Sequence, residues 1–355
     1  MTDGDNAFIV YLTARARGMK SALLTRAQFD EMLEADTLQV MSDKLLNSSY
    51  ETEMAEALTR LQGADAIEDA LFRNFVNTFR ILLRSAVDDE NHLLARIFLT
   101  RWDLIAVKSL LRLRHQNLEA GGGMQNLIPG PGLGVALMEE LAQSDSMASL
   151  VGGLIGWDPR LCSPLQHALS DYEQSRDLSI LEEALDRSYF RDNLRVLKSM
   201  ESDDARFVLK VLKMEIDRIN MRILFSMHDL GHDKADGMSR LLRGGTIPLA
   251  VLEQMADEPT GENAMEHLGQ TIYYELIEGV YQLAQSNRFS QMERMFEREL
   301  LKKMRKAARL NALSIAVFME FAWLKYNEVI NLRLIARGDK RFVPISRIRE
   351  EMVYV

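Results

Sequence analysis

One cysteine and seven prolines are all that 355 residues contain of either. A lone thiol, Cys162, excludes an internal disulfide framework and suits a reducing compartment. It reads as a small buried apolar residue rather than as a nucleophile. Scarce proline and few runs of β-branched residues, against abundant Ala, Leu, Met, Glu and Arg, argue against strands and for an all-α chain. Positive charge is short as well, with 43 Lys and Arg against 52 Asp and Glu, a net charge of -9. Phosphate recognition needs clustered positive charge, so no nucleic-acid partner is expected. The basic run from Arg298 to Arg309 reads as one solvated helix face. No apolar run is long enough to span a bilayer: the most apolar late stretch, Ala312 to Leu324, is interrupted by Glu320. No signal peptide precedes it. Any association with a membrane is expected to go through a partner.

Set against these absences is a repetition. IEDALFR at 67–73, LEEALDR at 181–187 and MERMFER at 292–298 each hold Glu followed by Arg five residues later. Thirty-five residues beyond Glu68, Glu182 and Glu293 stand Asp103, Asp217 and Glu328, in DLIAVK, DRINMR and EVINLR. A basic residue follows each acid by five positions, as Lys108, Arg222 and Arg333. If each copy is an antiparallel helical hairpin, its turn falls near residue 88, 202 or 313, in AVDDEN, SMESDDA or RLNALS. Acid then faces base at two levels. The pairs expected are Glu68 with Lys108, Arg73 with Asp103, Glu182 with Arg222, Arg187 with Asp217, Glu293 with Arg333, and Arg298 with Glu328. Partly buried charges persist when paired, and stranding one partner costs roughly 3–5 kcal/mol. Solvated face charges are the alternative reading. Between copies lie LIPGPGL at 127–133 and LLRGGTI at 241–247, each leading into a short amphipathic helix, with AQFDEMLEAD in the matching place of copy one. Three helical subdomains follow, 1–120, 121–235 and 236–355.

Signals of chemistry are weak. The glycines of GGGMQNLIPGPGLG suggest a phosphate cradle, but no strand precedes them and no Lys-Ser or Lys-Thr closes the motif. They read better as a helix terminator and linker, like LLRGG one repeat later. His228 and His232 have the i, i+4 spacing of some zinc sites, but Gly231 lies between them, so a helix end and polar linker is preferred. No nucleophile elbow is present. No catalytic, metal or cofactor site is expected, because a charge pattern repeated three times belongs to a recurring joint.

The chain resembles the C subunit of the archaeal and bacterial A/V-type rotary ATPases, whose counterpart in the eukaryotic V-type enzyme is the d subunit. The carriers are Tyr11, Arg15, Arg17, Met19 and Leu23-Leu24 in the opening helix, LLNSSY at 45–50, the repeated acid-x-x-Asn-Leu-Arg, the glycine linkers and the closing GDKRFVPISRIREEM with Ile348-Arg349. Copy one departs from the pattern, with Ala106 and Lys108 in place of Asn and Arg. The resemblance implies three helical domains forming a funnel around a pseudo-threefold axis. It also implies a non-catalytic rotor component on the cytoplasmic face of the cell membrane, peripheral through the membrane rotor ring, whose socket receives the central shaft. An α-helical repeat scaffold for another complex is the competing reading, and a metal-dependent hydrolase built on His228 and His232 trails it.

Overall fold

The computed structural model describes residues 5–35, 37–84, 89–117, 127–230, 234–276, 289–338 and 344–352. Among these residues every regular element is helical, as the composition predicts. Cα packing separates two compact units, 1–178 with 307–355, and 179–306.

In the first unit a short-helix group comes first: α1 (Asp5–Ser21), α2 (Arg26–Glu34), α3 (Leu38–Leu46) and α4 (Glu51–Leu58). Thr25 and Gln28 close a capping box at the start of α2, so the break after α1 is written locally. Two long helices follow, α5 (Gly63–Leu82) and α6 (Glu90–His115). Asp89 caps α6 by accepting from the Asn91 and His92 amides; residue 88, where the hairpin reading centres its turn, lies outside the described residues. Then come α7 (Val135–Ala142), α8 (Met147–Trp157) and α9 (Pro159–Ser175). Asp158 caps α9, with Pro159 in its first turn, where a missing N–H costs nothing. The last elements of this unit are α16 (Ile315–Arg337), capped by Ser314, and α17 (Ile345–Glu351).

The core of this unit is aromatic. Phe75 and Phe79 of α5, Phe98 and Trp102 of α6, and Phe318, Phe321, Trp323 and Tyr326 of α16 meet with centroids 5.1–6.4 Å apart. Rings of this size hold α6 away from α5. Helix α16 instead lies along α5 and α1, packing on both more extensively than α5 and α6 pack on each other. The short helices α7 and α8 pack on α6.

The second unit carries a direct hairpin, α10 (Ser179–Lys198) against α11 (Asp203–Leu230). The short helices α12 (Lys234–Arg240), α13 (Leu249–Asp257) and α14 (Gly261–Glu266) all rest on α11. After two 3-10 turns, His267–Gln270 and Tyr274–Leu276, comes α15 (Phe289–Leu310). The third turn, the one with the least turn-like sequence, runs from Leu310 to Ile315.

In both units a rule emerges that periodicity does not display. Helices α7 and α8 rest on α6, and α12, α13 and α14 on α11, in each case the long helix that precedes them, while α1 and α2 rest on α16, and α3 and α4 pack on α5.

Candidate functional site

The three second-helix acids are among the most buried charged groups of the chain: Asp103 is 5% exposed, Asp217 0% and Glu328 4%. Buried carboxylates need donors. Asp103 Oδ1 accepts from the amides of Gly132 at 2.8 Å and Leu133 at 3.0 Å. Asp217 does the same one copy later. Thr246 and Ile247 donate their amides to it at 2.9 and 3.0 Å, the Thr246 hydroxyl donates as well, and Tyr273 adds its hydroxyl at 2.9 Å. In both cases the amides lie 29 and 30 residues beyond the acid. Glu328 closes the series. It accepts from the Leu24 amide at 2.6 Å, the Tyr50 hydroxyl at 2.7 Å and Lys325 at 3.0 Å.

Leu133, Ile247 and Leu24 each stand just before a short helix, α7, α13 and α2. Each acid therefore fastens a segment that leads into a short helix: Asp103 holds 132–133, Asp217 holds 246–247 and Glu328 holds Leu24. Tyr50 and Tyr273 also correspond, each 26 residues after its amide. The same step from Leu133 reaches Pro159, beside Asp158, so Asp103 has no phenol donor in that place.

The glycines answer to these acids. A Cβ on Gly130 would lie 2.1 Å from Asp103 Oδ1 and 2.5 Å from its Cα, and one on Gly245 would lie 2.1 Å from Asp217 Oδ1. Only a residue without a side chain lets the backbone come this close. The linker reading thus needs revision in its reason. Helix α12 already ends at Arg240, ahead of both glycines: Gly245 serves the approach to Asp217, while Gly244 takes a left-handed φ of +104° against Leu194. The suggestion of a phosphate cradle has a physical root too, since adjacent amides do converge on an anion. That anion is the chain's own carboxylate.

Arg73 and Asp103 do not meet, and neither do Arg187 and Asp217. Arg73 turns to Asp69 at 2.9 Å, one turn back on its own helix. Arg187 goes to Glu183 and to the Ser239 carbonyl. Arg298 is exposed, while the donors of Glu328 are those given above. The reason is the same at all three sites: a buried backbone amide has no other acceptor within reach, whereas a guanidinium can reach water. Glu68 takes Arg333 at 2.8 Å and also Arg337, both from α16, an ion pair between copies one and three that follows from α16 lying along α5. Lys108 is buried, Glu182 half-buried and Arg222 exposed; the side chain of Glu293 lies outside the described residues.

The repeated asparagine also works on backbone. Asn220 donates to the Leu242 carbonyl at 2.9 Å and accepts its amide at 2.8 Å, a reciprocal pair that Ala106 cannot form in copy one. Around Glu328 the chemistry is denser still. Lys325 sits 3.9 Å over the Tyr50 ring. Burial lowers its pKa and raises that of Tyr50, while Glu328 favours the charged lysine.

Burial also pushes the Asp103 carboxyl up to about 7, against the pull of the Leu133 and Gly132 amides, with Asp158 adding to the rise. Asp217 is raised by burial as well, opposed by Thr246, Ile247 and Tyr273. Burial takes the Cys162 thiol up to about 12, in keeping with an inert core residue. His228 bonds the Met255 carbonyl at 3.0 Å, and His232 lies outside the described residues. Among the described residues no three His, Cys, Asp or Glu gather as a metal site.

This is an all-helical chain that spends its buried acids on its own backbone joints. Comparison with known proteins makes this specific. The ATP synthase (C/AC39) subunit family matches residues 12–351, and the chain belongs to that family. Its members are non-catalytic subunits. The chain is 25% identical over 351 residues to the C subunit of the A-type ATP synthase of Methanococcoides burtonii, covering 99% of this chain and 95% of that one. The corresponding protein of Methanosarcina acetivorans is 26% identical over 97% of this chain and 92% of its own, and that of Haloquadratum walsbyi 27% over 97% of each.

Proposed function

We propose that this chain is a non-catalytic central-stalk subunit of a prokaryotic V/A-type ATPase, joining the central shaft to the membrane rotor ring at the cytoplasmic face of the membrane. In this role it carries rotation between ATP hydrolysis or synthesis and ion transport, and performs no chemistry itself. The observation that carries the reading is the family match from residue 12 to residue 351, nearly the whole chain. No helix among the described residues is long and apolar enough to cross a membrane, which agrees with attachment through a ring of other subunits.

The joints suit the task. A part that passes torque must not shear between its repeats, and buried, donor-satisfied carboxylates allow few alternative positions. In the proposed funnel of three domains around one axis, Asp103, Asp217 and Glu328 would serve as such fastenings.

Affinity capture of the tagged chain from detergent-solubilised membranes tests the proposal. Shaft and rotor-ring subunits should be recovered with it in fixed stoichiometry. Recovery of unrelated client proteins without ATPase subunits would favour the scaffold reading and overturn this one.

A further inference from the structure

A half-open groove of about 760 Å3 runs along α10 in the second unit. Its apolar floor includes Phe190, Leu194 and Leu242, which are buried, and Leu249, an exposed leucine at 45%. One wall carries Arg187, Arg191, Arg195 and Lys198, spaced four, four and three residues apart and therefore on one face of the helix. Arg243 faces them from the α12–α13 linker, and Glu253 is the one acid of the lining. The acids Glu183 and Asp192 beside the wall pair with Arg187, Arg191, Arg195 and Arg240. Arg191 and Arg195 keep 62% and 74% of their side-chain surface exposed. Lys198 and Arg243 have no partner among the described residues. Counting Arg240, Glu183 and Asp192 with the lining leaves the face positive, on a chain whose net charge is -9.

We infer that this groove docks an acidic amphipathic helix of a partner protein. Two features select that occupant. The cations extend over 12 residues of α10, about 16 Å, or three turns of a facing helix, and their spacing matches carboxylates at i, i+4 and i+7 or i+8 on such a helix. A single phosphate would engage one or two of them and leave the apolar floor uncovered. Floor and wall together ask for a segment with leucine-like residues on one side and Asp or Glu on the other. The inference rests on the proposed function only in taking the partner to be a protein of the same assembly.

The test uses the full chain in membranes, with Arg191→Glu/Arg195→Glu as the variant. Both side chains are exposed, and an unchanged melting curve checks that the fold is kept. Wild type treated with a carbodiimide should give a zero-length cross-link from Lys198 to an acidic helical peptide of another subunit, identified by mass spectrometry. The variant should lose that cross-link and recover about tenfold less of that subunit at physiological salt, with a flatter salt dependence. Equal recovery and cross-linking by variant and wild type would overturn the docking site. So would the absence of any Lys198 cross-link together with charge-dependent binding to phosphatidylglycerol vesicles, which would make the groove a lipid contact. If wild type recovers no ATPase subunit, the proposed function falls. The groove is then judged by its Lys198 cross-link alone, where a link to any other protein's acidic helix supports it and no link overturns it.

Discussion

Asp103 and Asp217 occupy the same place in successive copies and hold amides at the same distance along the chain, yet their surroundings differ. Asp217 gathers two amides and two hydroxyls, one of them from Tyr273. Asp103 has two amides on one oxygen, with Asp158 nearby where the other copies place a tyrosine. One joint is thus saturated with donors and the other is not. The geometry of a repeat can be kept while its electrostatic quality varies from copy to copy.

Removing each carboxylate should expose this difference most strongly. Asp217→Ala strands four buried donors, each costing roughly 1–3 kcal/mol, so a loss of about 4 kcal/mol or more is expected, against about 2 kcal/mol or more for the two donors stranded by Asp103→Ala. Urea midpoints of the two variants measure it, and equal losses would erase the contrast. Next comes pH. The folded Asp103 carboxyl titrates at about 7, above the unfolded value near 3.9, so its contribution is complete below about pH 4 and is lost as pH rises through 7. Between pH 5 and pH 8 wild type should therefore lose about 2.5 kcal/mol from this group, a slope that Asp103→Asn removes. Unfolding free energies of both proteins at the two pH values decide the point. The smallest effect is expected from Tyr273→Phe, which deletes one hydroxyl from Asp217 and should cost about 1 kcal/mol. A cost near zero would show that Thr246 and Ile247 suffice, making the two joints more alike than their donors suggest.

Much of this was legible in the sequence. The turns could be placed because Asp89 and Ser314 sit where a helix must be capped, and the buried acids could be found as a set because their spacing recurs. Their partners were harder to read. Charged residues advertise other charged residues, whereas a backbone amide has no letter of its own. One signal was available, a glycine 27 residues beyond each acid, Gly130 and Gly244, 114 residues apart and each with a second glycine close by. The pairing of Glu68 with Arg333 was hidden for another reason. Hairpin symmetry treats a copy as self-contained, while the bulk of Phe75, Phe79 and Trp102 parts α5 from α6 and gives α16 its place.

The bonds from Leu24 and Tyr50 to Glu328 cross 304 and 278 residues. During synthesis, at about 5–20 residues per second, the opening helices leave the ribosome roughly 15–60 seconds before the helix that covers them. Their apolar faces must wait that long, so an mRNA cut short before codon 328 should yield a product that chaperones and proteases recognise as incomplete. Quality control of this protein is thereby tied to its final long helix.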